Sequence, residues 1–317
     1  MIVTETRDGL TPQATADGSF TFFSSEFGEH FHSRQGAQQE AIQKYVLPCR
    51  LPQLAQTRDH VHLLDVCYGL GYNTAAALTA IWQVNPACHV TVFALESNLQ
   101  VPRQAMAHHL LQGYPALVQT LLSRLAVETQ LDTAGFTATL LIGDARQTLR
   151  QGIPPDWQAD AIFLDPFSPP KCPQLWTVEF LQSIGDRLNP QGYLATYCSA
   201  AAVRTALQLV GLQIATLADG HPPHPRRRPL GTLASHHPLS LPPLPAWERE
   251  HLQTKAAIPY RDPQGCFNAR EILQHRQAEQ ALTEAEPASQ WKKRWLHGFP
   301  AKAPACASGT TLGPAGK

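Results

Sequence analysis

Charge is what this 317-residue chain has little of: Asp, Glu, Lys and Arg make up 16% of it, and 25 basic side chains cancel 25 acidic ones. A net charge of zero announces no polyanionic partner, although a local basic patch can act whatever the sum. No apolar run approaches the ~20 residues of a membrane-spanning helix. The N-terminus, Met1-Ile2-Val3-Thr4-Glu5, lacks a basic segment followed by an apolar stretch, so a cytoplasmic location is expected. The seven cysteines never form a C-x-x-C pair, which argues against a disulfide framework and a structural zinc site. His221, His224, His236 and His237 sit among prolines without helical i, i+4 spacing, and no metal is expected. What the chain does have is apolar residues, at 43%, enough for a sizeable core and too many for wholesale disorder.

Short apolar runs alternate with longer amphipathic ones through the middle of the chain. Residues 61–67 read as a buried strand ending in a turn, and 73–84 as an Ala-rich helix stopped by Pro86. A second strand over 89–96 takes its β character from Val90, Val92 and Phe93, and helices follow over about 98–110 and 115–126. Strands over 137–142 and 161–164, a helix over 175–188, a strand over 193–198, a helix over 200–210 and a strand pair over 212–217 and 230–234 complete the series. This pattern predicts an α/β fold: a doubly wound, mostly parallel, Rossmann-like sheet of seven strands, the last inserted antiparallel. Around it the sequence predicts an N-terminal strand and helix segment over 1–46, the sheet domain over 47–235, an extension over 236–299 with a Pro-rich stretch and a helix near 268–284, and a disordered tail over 300–317.

Asp65-Val66-Cys67-Tyr68-Gly69-Leu70-Gly71-Tyr72-Asn73 runs from a strand through a glycine turn into a helix. Glycines let the backbone turn tightly and approach a ligand, and the helix start offers unpaired N–H groups. A dinucleotide fingerprint wants a third glycine where Thr74 stands. Asp65, ending strand one, suits the ammonium of a methionine moiety. Glu96, ending strand two, can accept both hydroxyls of a ribose, and Asp144, after strand three, can accept from an adenine amine. Each has a bland reading, as a tight turn or an N-capping Asp. Their recurrence at successive strand ends, where open α/β sheets bind ligands, points to S-adenosylmethionine.

Strand four ends in Asp165-Pro166-Phe167-Ser168-Pro169-Pro170-Lys171, where amino-methyltransferases carry a D/N-P-P-F/Y type of loop. An amine attacks a sulfonium methyl in line, so its lone pair must face that carbon. A carboxylate and the carbonyls of a proline-stiffened loop can take the amine's hydrogens, and an aromatic ring such as Phe167 can stack on the substrate. An alkylammonium has a pKa near 10, so baring its lone pair at pH 7 costs roughly 4 kcal/mol. Asp165 is the candidate catalytic proton acceptor, unless the segment is a Pro-rich surface turn with an N-capping Asp.

The run Asp165-Pro166-Phe167-Ser168-Pro169-Pro170-Lys171-Cys172-Pro173-Gln174-Leu175-Trp176 resembles the D-G/P-F-x-P-x-K-x-P-x-x-W segment of the MnmC-type methyltransferases of bacterial tRNA wobble uridine, which form 5-methylaminomethyl-2-thiouridine. Tyr68-Gly69-Leu70-Gly71-Tyr72-Asn73 resembles that family's G-F-G-T-G-x-N loop, and the motif residues over 17–37 are similar as well; the resemblance covers about 17–235. It implies S-adenosylmethionine-dependent methylation of the 5-aminomethyl group of tRNA uridine 34. It also implies Gly69, Gly71 and Asn73 in the cofactor loop, Glu96 on ribose and Asp165 beside the amine. Two departures matter. Cys67 stands where the family usually has glycine, and no second dinucleotide fingerprint follows residue 235. No FAD-dependent oxidoreductase half is therefore expected, and an upstream tRNA-modifying enzyme would supply the aminomethyl group.

Glu29 and His32 are candidates to close over the substrate, with Phe167 and Lys171 on the same side. For tRNA contacts, Arg226, Arg227 and Arg228 form the densest basic run, and Trp291-Lys292-Lys293-Arg294-Trp295 interleaves cations with aromatics. Three rivals stand beside this reading: a methyl- or aminopropyltransferase acting on a small free amine, a non-catalytic binding protein of the same fold, and, weakest for want of the third glycine, an NAD dehydrogenase.

Overall fold

The computed structural model describes residues 10–221, 224–225 and 227–297, so Arg226 and the tail over 300–317 lie outside the described residues. Two small hairpins come first: β1 (Gln13–Ala14) with β2 (Phe20–Thr21), and β3 (Phe23–Ser24) with β4 (Glu29–His30). Helix α1 (Ala37–Ala41) runs on as a wider π turn over Ile42–Val46, and α2 (Leu51–Thr57) leads into the main sheet. That sheet contains β5 (His60–Val66), β6 (His89–Glu96), β7 (Gln130–Asp132), β8 (Phe136–Ile142), β9 (Ala159–Leu164), β10 (Leu188–Thr196), β11 (Gln213–Leu217) and β12 (Gly231–Ser235).

The strands lie in the order β11-β12-β10-β9-β5-β6-β8-β7. The run β10-β9-β5-β6-β8 is parallel, β12 is antiparallel to both its neighbours, and β7 is antiparallel on the edge. The antiparallel insertion agrees with the sequence. The eighth strand does not: β7 is only three residues long, too short to leave an alternating pattern. Gly231 makes the insertion possible, because a side-chain carbon there would stand 2.0 Å from the Thr196 carbonyl oxygen.

Successive strand side chains point to opposite faces. Val61, Leu63, Val92 and Phe163 pack with α3 (Tyr72–Val84), with α5 (Ala116–Glu128) and with Phe22, Ala37, Ala41 and Tyr45 of the N-terminal segment. Leu64, Val66, Ile162 and Leu164 face α6 (Ala145–Gln151), α7 (Val178–Gly185) and α8 (Ala201–Leu209). Helix α4 (Gln100–Ala107) follows β6. The helix expected over 175–188 is shorter, because Pro173–Trp176 forms a 3₁₀ turn and Thr177 then caps α7 by accepting the Phe180 N–H. Strand β10 starts earlier than expected, at Leu188, and its register shifts before Tyr193.

The C-terminal extension contributes α9 (Ala246–His251), α10 (Ala269–Leu282) and α11 (Ala288–His297). A capping box, Asn268 with Glu271, starts α10 where the sequence expects a helix. A buried ion pair fastens α9 to the sheet: Arg204 of α8 meets Glu248 at 2.9 Å and also donates to Thr232 and Thr216. Among the described residues, no helix is long and apolar enough to cross a membrane.

Candidate active site

Strands β5, β6 and β9 end side by side, and their following loops build one site. The loop after β5 is held from its neighbour: Tyr68 N–H donates to the Leu95 carbonyl at 2.9 Å, and Gly69 N–H to the Glu96 carboxylate at 2.8 Å. Gly69 and Gly71 both have positive φ, at 55° and 86°. A side-chain carbon at Gly71 would meet the Tyr68 hydroxyl at 2.7 Å, so this turn leaves no room for one. Cys67 also sits in the left-handed region, at φ 69°. A non-glycine residue in that region costs on the order of 1–3 kcal/mol, which glycine would not.

Asp65 is fully buried on the α3 face and accepts from the Thr74 hydroxyl at 2.6 Å through Oδ2, while Oδ1 has no partner. Burial pushes its carboxyl up to about 7. The Tyr68 hydroxyl and the Asn73 Oδ1 are likewise buried without partners. Three orphaned polar atoms around one glycine loop are costly unless something fills the place. Two of them are acceptors, one on a carboxylate, which is what an ammonium-bearing ligand needs to donate to. Glu96, at the end of β6, is buried too, which raises its carboxyl. Its Oε1 accepts from Asn98 N–H at 2.9 Å and from the Ser97 hydroxyl at 3.3 Å, while Oε2, bonded to Gly69 N–H alone, keeps a further lone pair for a ribose hydroxyl. Asp144 differs. It caps α6 and pairs with Arg146 at 2.6 Å, whose hydrogen bonds hold the carboxyl low against partial burial. Arg146 reaches on to Asp262 of the C-terminal extension at 2.7 Å.

Asp165 follows β9 and is gripped at both oxygens. The Tyr45 hydroxyl donates to Oδ1 at 2.5 Å, and the Asn73 amide donates to Oδ2 at 2.9 Å. Burial first, then the nearby Glu40 carboxylate, pushes the Asp165 carboxyl up to about 8, against the lowering effect of those two donors. The rest of the loop is pinned through its carbonyls: Tyr197 donates to Pro166 at 2.9 Å and Trp176 to Phe167 at 2.9 Å.

Of the substrate-side candidates, Glu29 reaches this loop, accepting from Ser168 N–H at 3.0 Å and from its hydroxyl. The Phe167 ring is stacked on Phe27 at 4.4 Å and lies edge-on to Phe31. His32 packs elsewhere, edge-on to Tyr72 at 5.1 Å, and its burial holds it neutral with a pKa of about 4. Lys171 is exposed, its ammonium beside Gly28. Arg227 pairs with Asp219 at 3.4 Å and Arg228 is exposed. The other basic run is largely consumed in packing: Trp291 stacks on His251, Arg294 pairs with Glu250 and Glu286, and Trp295 donates to Glu250. Sequence reasoning missed Tyr45 and Tyr197, lone aromatics that carry no motif signal, and gave no role to Phe27 and Phe31, which lie within the motif over 17–37. Among the described residues, no group of three His, Cys, Asp or Glu side chains could hold a metal ion.

A parallel sheet closed by an inserted antiparallel strand, with a glycine loop after its first strand and an acid ending its second, defines an S-adenosylmethionine-dependent methyltransferase. A family model described as S-adenosyl-L-methionine-dependent methyltransferase matches residues 103–232. The crystal structure of MnmC2 from Aquifex aeolicus superposes with a TM-score of 0.74 at 31% identity, covering 87% of this chain and 86% of that one. The chain belongs to the MnmC-type methyltransferase family. An uncharacterised protein of Methanocaldococcus jannaschii is 30% identical over 83% of this chain and 70% of its own. The bifunctional tRNA 5-methylaminomethyl-2-thiouridine biosynthesis protein MnmC of an Acidovorax species is 29% identical over 61% of this chain, which spans 31% of that protein's length.

Proposed function

We propose that this enzyme methylates the primary amine of 5-aminomethyluridine, thiolated at position 2 or not, at wobble position 34 of tRNA. The observation that carries the reading is Asp165, a proton acceptor raised to about 8 at the end of β9, beside the orphaned acceptors of the glycine loop. S-adenosylmethionine supplies an electrophilic methyl: the amine's lone pair forms the new N–C bond, and the C–S bonding pair stays with sulfur. In this reading Asp65 and Asn73 receive the ammonium end of the cofactor. Gly69 and Gly71 let the backbone approach it, Glu96 takes the ribose, and Asp144 bounds the adenine side. Asp165 takes the proton that the amine must shed. An ordinary carboxyl near 4 is a poor acceptor from an ammonium near 10, and a group near 8 closes most of that gap.

The RNA contacts proposed are Arg226, Arg227 and Arg228. Strand β11 runs parallel to β10, because both are antiparallel to β12, so the loop after β11 opens at the same sheet edge as Asp165. β11 lies three places from β9, about 14 Å at the usual strand spacing. That is a distance of two or three nucleotides, and a groove lined by Arg227, Arg228 and Trp247 lies there. An upstream tRNA-modifying enzyme would have to provide the aminomethyl group. Incubation with labelled S-adenosylmethionine and either bulk tRNA or polyamines tests the substrate class: label in tRNA supports the reading, and label in polyamine alone overturns it.

A further inference from the structure

Tyr45 belongs to the π turn that follows α1, 120 residues before Asp165 in the chain. It is fully buried, its ring lies edge-on to Phe163 at 5.6 Å on the strand that delivers Asp165, and its hydroxyl donates to Asp165 Oδ1 at 2.5 Å. Asn73, at the start of α3, takes the other oxygen. A carboxylate held by one donor on each oxygen cannot rotate without losing one of them, and each oxygen keeps one open lone pair. The segment that carries Tyr45 holds the same loop twice more, through Glu29 on Ser168 and Phe27 on Phe167.

We propose that Tyr45 is a positioning residue, which aims the open lone pair of the Asp165 carboxylate at the substrate amine and so couples the N-terminal segment to the proton transfer. This rests on the amine-methylation reading above. In the step concerned, one ammonium N–H bond breaks, its electron pair stays on nitrogen, and the proton passes to Asp165. The amine goes from +1 to 0 and the carboxylate from −1 to 0. Tyr45 itself keeps its proton, because burial and Asp165 beside it raise the phenol well above its ordinary value.

The test is Tyr45→Phe, which keeps the ring and removes the hydroxyl. Losing a donor that favours the charged carboxylate moves the rising limb of the kcat–pH profile upward, by half a unit to one unit, and lowers kcat at pH 7 about three- to tenfold. The Kd for S-adenosylmethionine stays within twofold. Phe163→Leu is the control: it loosens the packing around the same ring but keeps the hydroxyl, so it lowers Tm without moving the limb. A superimposable profile for Tyr45→Phe, or an equal shift in Phe163→Leu, overturns the proposal. A second readout needs neither turnover nor a folded Tyr45→Phe. The infrared difference between wild type and Asp165→Asn, without ligand, contains the Asp165 carboxyl C=O stretch. A band lowered by a strong donor supports the proposal, and a band at the position of a free acid overturns it. If no amine is methylated by the wild type but that lowered band is present, the substrate reading fails while the Tyr45–Asp165 relationship stands.

Discussion

The carboxylate of Glu29 accepts both the backbone N–H of Ser168, at 3.0 Å, and the Ser168 hydroxyl, clamping the β3–β4 hairpin onto the loop that follows β9. Stacking of Phe27 on Phe167 makes the second half of the clamp. Glu29→Ala therefore frees the loop carrying Asp165 without touching the glycine loop. The clamp is partly solvated, so the stability loss is about 1 kcal/mol, or about one to two degrees of Tm. Methyl transfer should fall about tenfold while calorimetry gives an S-adenosylmethionine Kd within twofold of wild type.

With Asp65 proposed to receive the cofactor's ammonium, cofactor binding should be pH-dependent. Burial lifts its folded carboxyl from near 4 to about 7, so in ligand-free protein the cost of ionising it grows, and stability falls, as pH rises from about 4 to about 7. A cationic ligand needs the ionised form. S-adenosylmethionine affinity should therefore rise with pH, by about tenfold between pH 6 and pH 8 in isothermal titration, and level off above. Asp65→Asn should bind weakly and almost independently of pH across that range.

The Arg204–Glu248 pair, 3% and 9% exposed at the side chains, anchors α9 beneath the basic groove. Removing one partner strands the other charge in the interior. Glu248→Ala should cost about 3–5 kcal/mol and lower Tm by about 4–8 °C in calorimetry, with Glu248→Gln less affected.

Arg228 is exposed and is not among the residues proposed to hold S-adenosylmethionine. Arg228→Ala should weaken tRNA binding about three- to tenfold in filter-binding assays and reduce the slope of log K against log salt by about one. Its cofactor affinity should stay at the wild-type value. An unchanged salt slope would place the RNA elsewhere on the surface.

Much of the parallel sheet could be read in the sequence because buried strands and amphipathic helices leave periodic patterns. Val90, Val92 and Phe93 marked β6, and the cap residue Asn268 opened α10 where a helix was expected. What was hidden is long-range. Nothing local tells that Tyr45 will meet Asp165, or that Asp262 will hold Arg146 and through it Asp144. The strand ends of the candidate site were legible because glycine turns and terminal acids carry a local signal. The aromatic clamp of Phe27, Phe31 and Phe167 was not, since it exists only once two distant segments pack together. Trp291, Arg294 and Trp295 also have a role the sequence did not show: they dock α11 on α9, while Lys292 and Lys293 of the same run stay exposed.

The most direct measurement of the central claim is nucleoside mass spectrometry. tRNA carrying 5-aminomethyluridine at position 34 is incubated with the protein and S-adenosylmethionine bearing a deuterated methyl group, then digested and analysed. A labelled 5-methylaminomethyluridine product is expected, which Asp165→Ala loses while still binding the cofactor. Unmodified aminomethyl nucleoside, from wild-type protein that binds both cofactor and tRNA, would contradict it.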